Sequence, residues 1–130
     1  MDAGVANIVM LAGIVVFLAA FVGGNVAWVW MFVAGLKLQK RMKMDFPEQW
    51  ESLYVWDGIK MTGSNTLFGL KGCPPGWWRW VWRKDPDELE DIRVLKARVR
   101  HGTVAFLACL AAGGLAFWVI VWASRFLSAE

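Results

Sequence analysis

Cysteine, histidine and tyrosine are nearly missing from this chain, with two, one and one respectively, and charge is missing altogether from two long stretches, Ala3 to Leu36 and Thr103 to Ser124. Two cysteines, Cys73 and Cys109, are too few for a zinc site or a disulfide framework. A reducing cytoplasm also disfavours a bridge between a loop and a span, so Cys109 reads as a small core residue and Cys73, before Pro74, as a candidate for acylation. His101 stands beside Arg98 and Arg100 and reads as a solvated boundary residue. As a remote candidate for a haem or chlorophyll ligand, it lacks both a second axial histidine and an attachment motif. No metal and no cofactor is therefore expected. No Ser, His and Asp set forms a nucleophile motif, and Gly69-Leu70-Lys71-Gly72 lacks the spacing and the following Ser or Thr of a phosphate loop. The carboxylates from Asp85 to Asp91 are accounted for by helix capping, and a chain this short has little room for a walled active site, so no catalysis is expected.

What is present is hydrocarbon: 58% of the residues are hydrophobic and 10 are tryptophan. A charge-free run of about 20 residues crosses a bilayer as a helix. The expected fold is an all-α membrane protein, two transmembrane helices in a hairpin with a cytoplasmic amphipathic and interfacial segment between them. The divisions are residues 1–36 (first span), 37–102 (interfacial segment), 103–124 (second span, continuous with the helix before it) and 125–130 (far-side tail). Only Asp2 precedes the first run and no basic n-region does, so that run reads as a retained span and not a cleaved signal. Lys37, Lys40, Arg41 and Lys43 follow the first span, and Arg93, Lys96, Arg98 and Arg100 precede the second. The positive-inside rule places the middle segment in the cytoplasm and both termini on the periplasmic side of a bacterial-type inner membrane. The middle segment carries 13 Lys or Arg against 9 Asp or Glu, a net charge of +4 that suits an anionic leaflet. Its basic residues flank the spans and form no separate stripe, which argues against nucleic acid as a partner.

The first span is overlong. Its 34 uncharged residues make roughly 50 Å of helix against a hydrocarbon core of about 30 Å, so it must tilt, protrude or lean on something. Ala20 and Gly24 in the first span, and Ala105, Cys109 and Gly113 in the second, supply small residues at four-residue spacing. Such faces let helix backbones approach, either each other or a partner. Asn25 is the strongly polar side chain of the first run; it either hydrogen-bonds another helix or a foreign subunit, or compensates a kink near the cytoplasmic interface.

In the middle segment the first helix continues through Met44, Asp45-Phe46-Pro47 interrupts it, and a short helix follows over about 47–55 with Trp50, Leu53 and Tyr54 on one face. Residues 56–76, rich in glycine with Pro74-Pro75, read as loop. Trp77-Trp78-Arg79-Trp80-Val81-Trp82-Arg83-Lys84 then sets four indoles among three cations. Helical spacing puts Trp78, Val81 and Trp82 on one face and Arg79 with Arg83 on another, the pattern of an interfacial anchor or of a docking site for another subunit. Asp85 as N-cap, Pro86 at the first position and Glu88 reaching back as in a capping box predict a helix from residue 86 into the second span. Its apolar stripe is Leu89, Ile92, Leu95 or Lys96, and Val99.

Phe46-Pro47-Glu48-Gln49-Trp50, the aromatic-basic stretch Trp80 to Arg83, and Asp87-Glu88-Leu89-Glu90-Asp91-Ile92-Arg93 with Arg98-Val99-Arg100 resemble the universal stress protein B family of small inner-membrane hairpins. The resemblance covers about the last two-thirds of the chain and implies a two-span fold and a role in stress tolerance, with no catalytic residues to transfer. The functional expectation is a non-catalytic accessory or scaffold subunit of a larger inner-membrane complex. Its contacts with integral membrane subunits or anionic lipid would come from Trp77, Trp78, Trp80, Trp82, Arg79, Arg83, Lys40, Arg41, Lys43 and Asn25. The alternative is a stand-alone stress-response protein that binds anionic lipid or associates with itself.

Overall fold

The computed structural model describes residues 2–56, 59–60, 65–67 and 70–129. In chain order the elements are α1 (Ala3–Asp45), α2 (Pro47–Ser52), β1 (Val55–Trp56), β2 (Ile59–Lys60), β3 (Asn65–Leu67), β4 (Leu70–Cys73), α3 (Trp77–Trp82) and α4 (Glu90–Ser128). Helices α1 and α4 are each long and apolar enough to cross a membrane. Only 11% and 6% of their most apolar stretches are covered by protein, whereas the core helix of a soluble domain would be mostly buried. Leu11, Phe21, Leu115 and Trp118 all face outward. This is the fold of a helical two-span hairpin, with its backbone polar groups satisfied inside the helices.

The chain forms two compact units, Met1–Ala27 with Val104–Glu130, and Trp28–Thr103. In the first unit every buried position among the described residues is alanine or glycine: Ala6, Gly13, Gly24, Ala27, Ala116 and Ala123. Large side chains point out and small ones in, which is how helices associate when lipid is as apolar as leucine and close backbone approach is the remaining gain. Contacts recur at spacings of seven and then four residues in antiparallel register. Gly13 meets Ile120, Gly113 meets Ala20, and a Cβ at Gly24 would lie 3.4 Å from that of Cys109.

The second unit holds a larger core of Met31, Ala34, Leu38, Met42, Trp50, Leu53, Trp77, Trp80, Val81, Ile92 and Val99. Met31 and Ala34 belong to the overlong apolar run, so its last part leans on this core. Helices α1 and α4 approach closely at Gly102, where a Cβ would come within 2.8 Å of the Met31 Cβ and 3.1 Å of its Cα. Thr103 closes the same crossing, its hydroxyl bonding the Val99 carbonyl at 2.7 Å and the Met31 sulfur at 2.9 Å.

Two local expectations are corrected. The stretch read as loop carries two antiparallel ladders, Val55 with Lys60 and Trp56 with Ile59, then Asn65 with Cys73 and Leu67 with Leu70. Short chain reversals let backbone groups pair locally without any apolar period to announce them. Gly58, Gly63, Gly69 and the side chain of Cys73 lie outside the described residues. Helix α4 begins at Glu90 and not at residue 86. The Asp85 carboxylate accepts the Asp87 backbone N–H at 3.1 Å in a local turn, and Glu88 does not cap the helix but pairs with Lys96. A buried lysine left without its carboxylate costs more than a helix cap, worth typically about 1 kcal/mol, returns.

Candidate functional site

Helix α3 is six residues long, too short to persist alone, and the packing around it accounts for its presence. Its start is held by Gly76, whose N–H donates to the Leu53 carbonyl at 2.8 Å. A Cβ there would stand 2.8 Å from that same oxygen, so only glycine fits. Along α3 the inward face is Trp77, Trp80 and Val81, and the outward face carries Arg79, Trp82 and Arg83. Trp78 is half-buried and Trp82 is 48% exposed. The expected face of Trp78, Val81 and Trp82 is therefore split, because the core recruits the Trp77–Trp80–Val81 side. Trp77 packs edge-on to Trp50 at 6.1 Å between ring centroids and lies 5.6 Å from Trp80, while Trp50 meets Tyr54 edge-on. These offset and edge geometries suit ring quadrupoles. The indole N–H groups of Trp77 and Trp80 are buried and meet no acceptor among the described residues.

The C-terminal end of α3 is gripped by two cations one turn apart on α4. The Arg100 guanidinium donates to the Val81 carbonyl at 2.9 Å, and the Lys96 ammonium donates to the Arg83 carbonyl at 3.2 Å. Positive charge belongs at this end, where the last carbonyls of a helix have no partner of their own. Lys96 is fully buried. Its ammonium also pairs with the Glu88 carboxylate and lies 4.1 Å from the centre of the Trp80 ring. It sits in the polar extension of α4, ahead of the apolar run. Burial pulls its pKa below the usual 10.5, opposed by the hydrogen bond and charge of Glu88. Lys96, Glu88, Arg100 and Trp50 are not among the contact residues expected from the sequence. The available signal was a lysine in the middle of the Leu89, Ile92, Val99 stripe, where an ion faces the core and must bring a counter-charge.

The other expected contact residues have different fates. Arg41 is engaged on both sides, bonding Asp91 at 2.9 Å and pairing with Asp45 in its own helix. The Asp91 carboxyl is accordingly held below its usual range, first by the Arg41 hydrogen bond. Lys43 lies over the Trp50 ring at 5.1 Å, and Lys40 is exposed. The Asn25 amide donates to the Phe21 carbonyl one turn back at 2.7 Å and bonds no other helix among the described residues, and the residue is exposed. Ala20, Gly24, Cys109 and Gly113 meet in the first unit, whereas Ala105 faces outward. His101 is exposed. Among the described residues no group of three or more His, Cys, Asp or Glu is placed to hold a metal.

Comparison with known proteins adds no assignment. No family model, no curated protein and no solved structure matches the chain. The resemblance to universal stress protein B rests on the quoted motifs alone.

Proposed function

We propose that the chain is a non-catalytic accessory or scaffold subunit of a larger inner-membrane complex, with α3 as its contact element. The observation that carries this reading is the construction of α3: Trp50 of α2 and the cations Lys96 and Arg100 of α4 hold a six-residue helix in one place while Arg79, Trp82 and Arg83 stay on the outer face. Rigid aromatic and arginine anchors are the residue types that dominate interface energies. The basic collars support a reading with this unit on the cytoplasmic side and the termini on the periplasmic side.

The test is co-purification from mild detergent of the tagged chain carrying Arg79→Glu, Trp82→Ala and Arg83→Glu. These side chains lie outside the core, so the hairpin should still insert while partner subunits are lost. Unchanged recovery of partners removes the docking role. Replacing Trp77 or Trp80 would not separate docking from folding. The lipid-binding alternative is supported by the open groove of Leu36, Gln39, Lys40, Lys43 and Met44 along α1, where two ammonium groups flank apolar carbon. Neutralising Lys40 and Lys43 should then reduce co-purified anionic lipid, and an unchanged lipid profile counts against that reading.

A further inference from the structure

We propose that Lys96 and Arg100 form a two-point latch that holds α3 in its inward position, and that opening the latch releases α3 to the headgroup region of an anionic bilayer. The inference rests on the reading of α3 as the contact element and adds that this element has two positions. The geometry supplies both sides of the balance. On the closed side, two cations on one face of α4 bind the Val81 carbonyl in the last turn of α3 and the Arg83 carbonyl just past it, and one of them also binds Glu88 and the Trp80 ring. These bonds join α3 and the 83–89 turn to α4, and they are the polar contacts seen at this end of the short helix. On the open side, the inward position leaves the indole N–H groups of Trp77 and Trp80 buried without an acceptor among the described residues. Such groups gain a partner at the headgroup level, where indoles concentrate. Arg79, Arg83 and Lys84, exposed along the same stretch, match an anionic surface.

The charged groups facing the latch are Glu88, Arg83 and Arg100, with Lys96 itself at the centre. Removing Lys96 alone would strand the Glu88 carboxylate, so the informative variant is Lys96→Met with Glu88→Gln, accompanied by Arg100→Met as an independent opening of the second point. The full chain is placed in vesicles containing phosphatidylglycerol, and two signals are read: hydrogen exchange of the α3 amides, and quenching of tryptophan fluorescence by brominated phosphatidylglycerol. The latch predicts exchange at Trp80 to Trp82 faster by about tenfold or more, unchanged protection in the apolar part of α4, and increased quenching in both variants. Unchanged α3 exchange overturns it, as does faster exchange spread equally over α4, which would mean plain unfolding. Faster α3 exchange without added quenching overturns the released position at the bilayer. Both signals are taken without partner subunits, so failure of the co-purification test and failure of the latch are separate results.

Discussion

At the scale of single residues, glycine and lysine carry the sharpest demands. Gly102 sits where α1 backbone lies within 3.1 to 3.2 Å of any added Cβ, so Gly102→Ala forces the helices apart and should cost about 1–3 kcal/mol. Gly114 has open space around it, and Gly114→Ala should be neutral or slightly stabilising through helix propensity. Thermal unfolding in detergent followed by circular dichroism compares the two, and equal midpoints would contradict the close crossing. Lys96→Met leaves a buried carboxylate without its ion and should cost about 3–5 kcal/mol, much of it recovered by adding Glu88→Gln. The depressed Lys96 pKa fixes a pH effect as well. The folded state disfavours the ammonium, so that cost is present at neutral pH and is relieved as pH rises through the lowered value toward 10.5. Wild type should therefore gain stability relative to Lys96→Met across that alkaline window, measured by the difference between their melting midpoints.

At the scale of elements, α3 shows how composition and position separate. Trp77, Trp80 and Trp82 are the same residue within six positions, yet two are core and one is surface. Trp77→Ala or Trp80→Ala should cost about 3–5 kcal/mol and erase much of the near-ultraviolet dichroism of the packed indole rings. Trp82→Ala should stay within about 0.5 kcal/mol, and a large loss there would mean that its face is covered. The boundaries of the long helices were legible where backbone chemistry sets them. Pro47 ends α1 at Asp45 and starts α2 from Phe46, because a proline ring excludes the preceding helical turn. The start of α4 was misread because Asp85, Pro86 and Glu88 satisfy every local rule for a cap, while Glu88 answers to a lysine two turns away.

At the scale of the whole molecule, the two units solve the same association problem with opposite means. One packs helices through alanine and glycine and leaves its large side chains outside; the other buries tryptophan, methionine and leucine against a short helix and a turn. The first arrangement suits hydrocarbon around it, and the second suits water, where burying apolar surface is itself the driving force. Reporter fusions give the topological test. A periplasm-dependent enzyme joined after Ala129 should be active, and the same enzyme inserted after Lys84 should be inactive; the reverse pattern would invert the orientation drawn from the basic collars.

The apolar runs, the basic collars and the small-residue spacing are properties of composition and period, and a membrane environment acts on them directly. The two-span hairpin could therefore be read from the chain alone. The inward and outward sides of α3, the back-bond of Asn25 to the Phe21 carbonyl, and the sharing of Lys96 among Glu88, Arg83 and Trp80 could not. Each depends on which of several equally good local partners lies nearest once distant segments have packed, and that choice exists only in three dimensions.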